Sequence, residues 1–455
     1  MNSEVKENKM VVMPVNKLLL TMSLPMMLSM LIQALYNIVD SLFVAAIGGA
    51  DAPHFELTAV TLAFPAQNLM IAVGVGTGVG INALISKNLG MGDREKAKRI
   101  AGNGLFLLMM SYVVFAILGI FASRPFFAMQ TDIPEVIEMG TAYLSICFVS
   151  SFGFFMQVAF EKFMQATGKT VLSMTTQIVG AVFNIIFDPI LIFGFNMGIA
   201  GAAIATVGGQ IVSMIVGFVL NQKLNGEVRL SPRYIRPIGK TIGEIYKIGV
   251  PSILMSSVGS VMTTGLNIIL GAFDKIAVDV FGIYFKLQSF VFMPVFGLNN
   301  GLISIVAYNY GAQKRARLVR AIKLGTVYAC SFMLIGVLVF QLCPELLLGM
   351  FNASDAMIKI GVPALRTISL CFIFAGFSVI IIAVFQSLGY SFISMIVSVA
   401  RQLVVLLPAA YFLSLTGEVS NVWYAFPIAE VICVICCAIF FANLYKKVIK
   451  KIPKN

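Results

Sequence analysis

Twelve stretches of this chain are apolar over about 20 residues or more, the length that crosses a hydrocarbon core. They lie near 17–47, 57–84, 98–122, 141–166, 170–194 and 199–222, and again near 244–272, 279–308, 319–344, 361–388, 391–416 and 421–446. In lipid every backbone N–H and C=O must find its partner within the segment or a closed barrel, so runs of this length become helices. Composition removes the soluble alternative. Charged residues make up 11% of the chain and mean hydropathy is +0.94, where a soluble domain carries about a quarter charged residues. The expected fold is an all-α polytopic membrane protein with twelve transmembrane helices.

A formal net charge of +12 raises the question of a nucleic-acid partner. The basic residues, however, sit in alternate short loops: Lys87 to Arg99, Lys162 to Lys169, Lys223 to Lys247, Lys314 to Lys323 and Lys446 to Lys454. The intervening loops hold Asp51, Glu56, Asp132, Glu135, Asp355 and Glu418 instead. The positive-inside rule accounts for this pattern and puts both termini in the cytoplasm of a cytoplasmic (inner) membrane protein, with no nucleic acid. The polar stretch Met1 to Asn16 lacks a cleavable signal pattern, so the first span is expected to stay. His54, the only histidine, reads as a loop residue. Cys433-x-x-Cys436-Cys437 has no second pair or nearby His to make a zinc or redox site, and reads as filler in a lipid-facing helix.

The longest polar break, Asn221 to Tyr246, separates two halves: an N-terminal lobe over 1–222, a cytoplasmic linker over 223–243 and a C-terminal lobe over 244–455. The halves match. A constant shift of 221 pairs Gly80 with Gly301, Asn88 with Asn309, Gly90 with Gly311, Gly140 with Gly361, Gly168 with Gly389 and Ser173 with Ser394. Pro25 and Pro251 correspond at a shift of 226. Six spans is an even number, so both lobes enter the membrane the same way and are related by a pseudo-two-fold axis along its normal. Such repeats are the mark of a transporter built from two bundles.

What the lobes do not share bears on function. Gln33, Tyr36, Asn37 and Asp40 fall on one face of the first span, and a carboxylate at that depth is a functional hypothesis by default. Asn184 and Asp188 lie one turn apart, with Gln177 two turns earlier. Shifted by 221, Tyr143, Asn184, Asp188 and Thr206 become Ala364, Val405, Ala409 and Pro427; Asp40, shifted by 226, lands on Leu266. The polar cluster therefore belongs to the N-terminal lobe. Asp40 and Asp188 each sit roughly 7 residues, about 10 Å, from the external end of their span. Together they make an oxygen-rich pocket suited to a proton or Na⁺. The bland alternatives are an Asp40 hydrogen-bonded between helices and an Asp188 that merely caps or kinks the chain before Pro189.

Glu161 is read as snorkelling at a cytoplasmic end. Lys286, Arg401 and Glu430 read as structural charges, with an Arg401–Glu430 pair among the options. Gly168-Lys169-Thr170 lacks the first glycine of a phosphate loop, since residue 163 is Phe163. Gly74, Gly76, Gly78 and Gly80 suit close helix packing rather than a dinucleotide. With no nucleotide site and no cofactor expected, uphill work must draw on an ion gradient, and no enzymatic activity is implied.

Several stretches resemble the multidrug and toxic compound extrusion (MATE) family across nearly the whole chain. They are Ser23-Leu24-Pro25, Asn88-Leu-Gly90-Met-Gly92-Asp93, Asn184-Ile-Ile-Phe-Asp188-Pro189, Gly201-Ala-Ala and Ala307-Tyr-Asn309-Tyr-Gly311-Ala. The chain is similar to the prokaryotic drug-efflux branch that keeps its acidic residues in the N-terminal lobe. The resemblance implies H⁺- or Na⁺-coupled antiport of organic cations by alternating access of two pseudo-symmetric six-helix lobes, in a protein expected to act as a monomer. The family's cation or proton site maps onto Asp40, Asn184, Asp188 and Thr206, where Na⁺ is the metal to be considered. Gln33, Tyr36, Asn37, Tyr143 and Gln177 are the candidate substrate-cavity residues. The alternative from another class is a flippase for lipid-linked oligosaccharides, which should show several basic cavity groups; only Lys286 and Arg401 qualify.

Overall fold

The computed structural model describes residues 8–47, 55–351 and 353–453; His54 and Asp51 lie outside them. Among the described residues there are helices and no strands. Ten helices are each long and apolar enough to cross a membrane, and two bent pairs make up the twelve. The first half consists of α1 (Val15–Ala45), α2 (Phe55–Gly90), α3 (Arg94–Phe121), the bent α4 (Pro134–Val149 with Phe152–Ala166), α5 (Thr170–Pro189) and α6 (Gly198–Leu224). The second half repeats the order with α7 (Gly239–Gly271), α8 (Lys275–Gly311), α9 (Arg315–Leu342), the bent α10 (Asp355–Ser369 with Phe372–Ser387), α11 (Ser391–Val399) and α12 (Ala425–Lys447). Two of these run on through π-helical turns, α5 over Ile190–Gly194 and α11 over Ala400–Leu406.

Several helices outrun the apolar windows. The 36 residues of α2 span roughly 54 Å at 1.5 Å each, well beyond a core about 30 Å thick. Apolarity marks the hydrocarbon, whereas the backbone stays helical past it. Lys162 accordingly belongs to α4 rather than to a basic loop, and it is buried.

The repeat is visible in local chemistry. The bends in α4 and α10 measure 44° and 47°, in spans the apolar pattern presents as continuous. At each bend a short side chain competes for a backbone carbonyl: Ser151 Oγ donates to Phe148 O at 2.7 Å and Cys371 Sγ to Ile368 O at 3.0 Å. After each, a glycine with positive φ reverses the chain, Gly168 at 81° and Gly389 at 87°. The following amides then reach back to Met164 O at 2.7 Å and Phe385 O at 2.8 Å, the closure of a helix C-cap. Asn88 and Asn309 each donate Nδ2 to the carbonyl four residues back at 2.8 Å.

Packing divides the chain into two compact units. One is Leu28–Ile253; the other joins the described residues up to Met27 to those from Leu254 on. The boundaries fall inside α1 and α7, two residues beyond Pro25 and Pro251, rather than around residues 223–243. The glycines of α2 and α8 explain the exchange of segments. A Cβ on Gly76 would lie 2.6 Å from Ile253 N, and one on Gly80 would lie 2.5 Å from Ile245 O. At the repeat positions, a Cβ on Gly297 would lie 2.5 Å from Met27 N and one on Gly301 2.7 Å from Ser23 Oγ. Bare backbones thus seat the first part of α7 against α2, and the first part of α1 against α8. Gly74 and Gly78 face α4 in the same manner, against Phe154 and Lys162.

The segment before α1 is anchored too, since Arg317 donates Nη2 to Met10 O at 2.9 Å and Met13 O at 2.6 Å. The polar break packs on α3: Tyr234 Oη donates to Glu95 Oε2 at 2.9 Å, and Ile238 N to Asn103 Oδ1 at 2.7 Å. All seven cysteines are free thiols. Cys433 and Cys437 are buried, so that stretch of α12 fills an interior instead of facing lipid.

Candidate functional site

The polar residues of the Leu28–Ile253 unit gather where α1, α5 and α6 meet. Asn184 Nδ2 donates to Asp188 Oδ1 at 3.2 Å and to Thr206 Oγ1 at 3.3 Å, so one amide ties the turn of α5 to α6. The carboxyls of Asp40 and Asp188 lie close enough to influence each other, and neither enters an ion pair among the described residues. Three buried oxygens then lack any partner: Asp40 Oδ1, Asn184 Oδ1 and Asp188 Oδ2.

The scaffold explains the placement. Pro189 has no N–H to give, and the chain passes directly into the π-helical turn Ile190–Gly194; such turns accompany functional sites. Asp188 therefore does stand at a helix irregularity, and it joins the cluster as well. Val44, Ile192 and Ala202 pack together next to Phe43, Ile47 and Val60. Phe43 meets Phe193 edge-on at 6.4 Å.

Two facing carboxylates without a counter-charge cost several kcal/mol each to bury. A shared proton or a small cation removes that cost. The donor set fits a small hard cation as well as a proton, since all its ligand atoms are oxygens: two carboxylates, one amide carbonyl and the Thr206 hydroxyl, which keeps a lone pair.

The candidate cavity residues separate. Tyr36 lies within electrostatic reach of Asp40, Asp188 and Glu161, with Gln33 close by. Tyr143 is buried and accepts from Gln67 Nε2 at 3.2 Å, while the same amide reaches Cys147 Sγ at 3.4 Å. Asn37 is exposed and joins none of these groups through its side chain in a described hydrogen bond. Gln177 makes its contact through Glu161: it donates Nε2 to Glu161 Oε2 at 2.9 Å, and Gln157 donates to Glu161 Oε1 at 2.8 Å. Glu161 is thus no snorkelling residue. It is 7% exposed and clamped by two amides.

Sequence reasoning missed Gln67 and misplaced Glu161. The available signals were an amide in the middle of an apolar run and the Gln157/Glu161 spacing of one turn. Among the other charges, Arg401 Nη1 and Glu430 Oε2 form an ion pair at 2.9 Å, and Lys286 Nζ lies over the Phe351 ring at 5.9 Å from its centroid.

A duplicated bundle of six membrane helices with an acidic, incompletely satisfied cluster in one repeat defines a membrane transport protein. The family model MatE matches residues 25–190 and 251–412, and the chain belongs to that family. It is 25% identical to a multidrug export protein MepA of Staphylococcus saprophyticus over 411 residues, 90% of each chain. It is likewise 25% identical to a multidrug export protein MepA of Staphylococcus aureus over 427 residues, 92% of each. A MATE transporter solved in a straight conformation superimposes with a TM-score of 0.91 at 25% identity, over 98% of this chain and 99% of that one. An outward-facing multidrug resistance MATE transporter shares the fold at 0.91 and 24% identity, with the same coverage.

Proposed function

We propose that this protein exports amphipathic organic cations and drugs from the cytoplasm as an H⁺- or Na⁺-coupled antiporter working by alternating access. The observation that carries the reading is the set of three partnerless buried oxygens on Asp40, Asn184 and Asp188. Buried polar groups are normally paired, so a cluster of orphan acceptors calls for an exchangeable positive ligand. Asp40, Asn184, Asp188 and Thr206 hold that ligand; Tyr36 and Gln33 connect the cluster to the substrate. Competition between coupling ion and cationic drug for this acidic region supplies the antiport. The protein is no enzyme in this reading, acts as a monomer, and keeps both termini in the cytoplasm with its basic loops.

A flippase for anionic lipid head groups fits less well, because Arg401 comes paired with Glu430, which leaves no net positive charge for an anion, and Lys286 sits on an aromatic ring. The test is uptake of ethidium into inverted vesicles under a pH gradient or a Na⁺ gradient imposed separately. Uptake driven by one of them supports antiport and names the ion. Equal uptake with neither gradient present would refute it.

A further inference from the structure

The second polar centre lies in the other unit, where the ordering of charges is unlike anything in the first. Arg401 occupies the π-helical stretch Ala400–Leu406 in the middle of its span. Its face of α11 carries Ser394, Val397 and Ser398, all buried. Its side chain is nevertheless 28% exposed while that of Glu430 is 5% exposed. A guanidinium at mid-membrane depth on an interior face meets water or a polar ligand, since hydrocarbon would reject it.

The pairing is one-sided. Glu430 takes only Nη1, at 2.9 Å. The Nε–Nη2 edge, which grips carboxylates bidentately, makes no described hydrogen bond, and Nε is buried without a partner. Glu430 Oε1 is buried and unpartnered as well. One ion pair therefore carries both an unmet donor edge and an unmet acceptor. Tyr284 lies within electrostatic reach of the pair, and it belongs to an aromatic group in which its ring lies 5.9 Å from Phe426 and Phe281 lies 6.4 Å from Trp423.

We propose that Arg401 and Glu430 form a recognition site for zwitterionic aromatic substrates, Arg401 taking the carboxylate on its Nε–Nη2 edge and Glu430 Oε1 accepting from the amine. The inference rests on the export reading above and narrows its substrate class. A purely cationic drug lacks the carboxylate that Arg401 takes and gains nothing from this pair.

Rhodamine 110, which carries a free carboxylate, and rhodamine 123, its methyl ester, make a matched pair of probes. Binding to the purified full-length protein is followed by fluorescence polarisation. Arg401→Gln combined with Glu430→Gln removes both charges together, so no lone ion stays buried. A lost charge-assisted contact corresponds to about tenfold or more in affinity. The double variant should weaken rhodamine 110 by that factor and change rhodamine 123 by less than twofold.

Equal loss for both dyes, or loss for neither, overturns the proposal. Wild-type protein that binds rhodamine 123 but not rhodamine 110 overturns it alone, and wild-type protein that binds neither overturns the export reading with it. Should the double variant not fold, Arg401→Lys decides: it keeps a charge for Glu430 but has no Nε–H edge. Severalfold loss confined to rhodamine 110 is then expected, and an unchanged affinity sinks the idea.

Discussion

The crossing of α5 with α6 and that of α11 with α12 occupy matching places in the two repeats and are built from opposite materials. In the first, glycines meet: a Cβ on Gly209 would lie 2.7 Å from Gly180 O. At the positions 221 further on stand Glu430 and Arg401, in an ion pair. One and two turns beyond Gly180 the first repeat places Asn184 and Asp188, where the second has Val405 and Ala409. The polar load has thus moved by a turn between repeats. Where two backbones touch, the helices are locked and a neighbouring turn can hold orphan acceptors rigidly. Where two long charged side chains bridge the helices, the charges satisfy most of each other and the next turn is left apolar. One frame serves two chemistries, an acceptor-rich cluster for a cation and a nearly neutral pair with one open edge.

The sharpest way to break this comparison is Asp40→Asn. Gradient-driven export should fall to the level of cells lacking the protein, while yield and membrane insertion stay unchanged, because a neutral isostere removes charge and not packing. Binding should show the same change. Affinity of the wild type for rhodamine 123 is expected to fall as pH is lowered, since protons remove the negative charge that holds the cation; Asp40→Asn should flatten that slope. A flat wild-type profile between about pH 5 and 8, the range around raised carboxylate values, would leave Na⁺ as the coupling ion.

Next in size is Arg401→Met alone. It strands Glu430 in an apolar interior and should lower stability by about 3–5 kcal/mol, whereas replacing both partners by apolar residues should cost far less. Thermal unfolding of the single and double variants separates the two. If the single variant is as stable as wild type, the pair is a surface feature and the contrast between the crossings fails.

Gly209→Ala should act more mildly. The added methyl pushes α5 from α6 at a cost of about 1–3 kcal/mol, and it would stand 3.6 Å from Asn184, so ion-coupled transport should drop severalfold. Gly259→Ala makes the control, because its Cβ would meet only Gln402 Oε1, at 3.7 Å. The smallest effect is expected from Val405→Asn with Pro427→Thr. These copy two donors of the first repeat into the second without its carboxylates, and ion dependence should not change. A new ion-dependent step in transport assays would show that position alone makes the site.

Much of this was legible in the residues, and the reasons are local. Apolar length announces a membrane helix whatever surrounds it, and a shift of 221 exposes the repeat because glycine, asparagine and proline keep their backbone duties. Asp40, Asn184 and Asp188 stood out because carboxylates and amides are costly in hydrocarbon. Glu161 was misread for the opposite reason. Its distance from a helix end suggested an escape to water, but Gln157 and Gln177, the latter from another helix, make burial tolerable.

The sequence by itself determined the class, the number of spans, the duplication and the lobe that carries the acidic cluster, since each follows from the solvent the chain must satisfy. Only the tertiary structure decided that α1 and α7 each change units beyond their prolines, because that exchange depends on which bare glycine backbones meet. Only it tied Gln177 to Glu161 and joined Arg401 to Glu430 with an edge left open. Partnering between helices is set by rotation and crossing of whole segments, and no spacing along one helix encodes those.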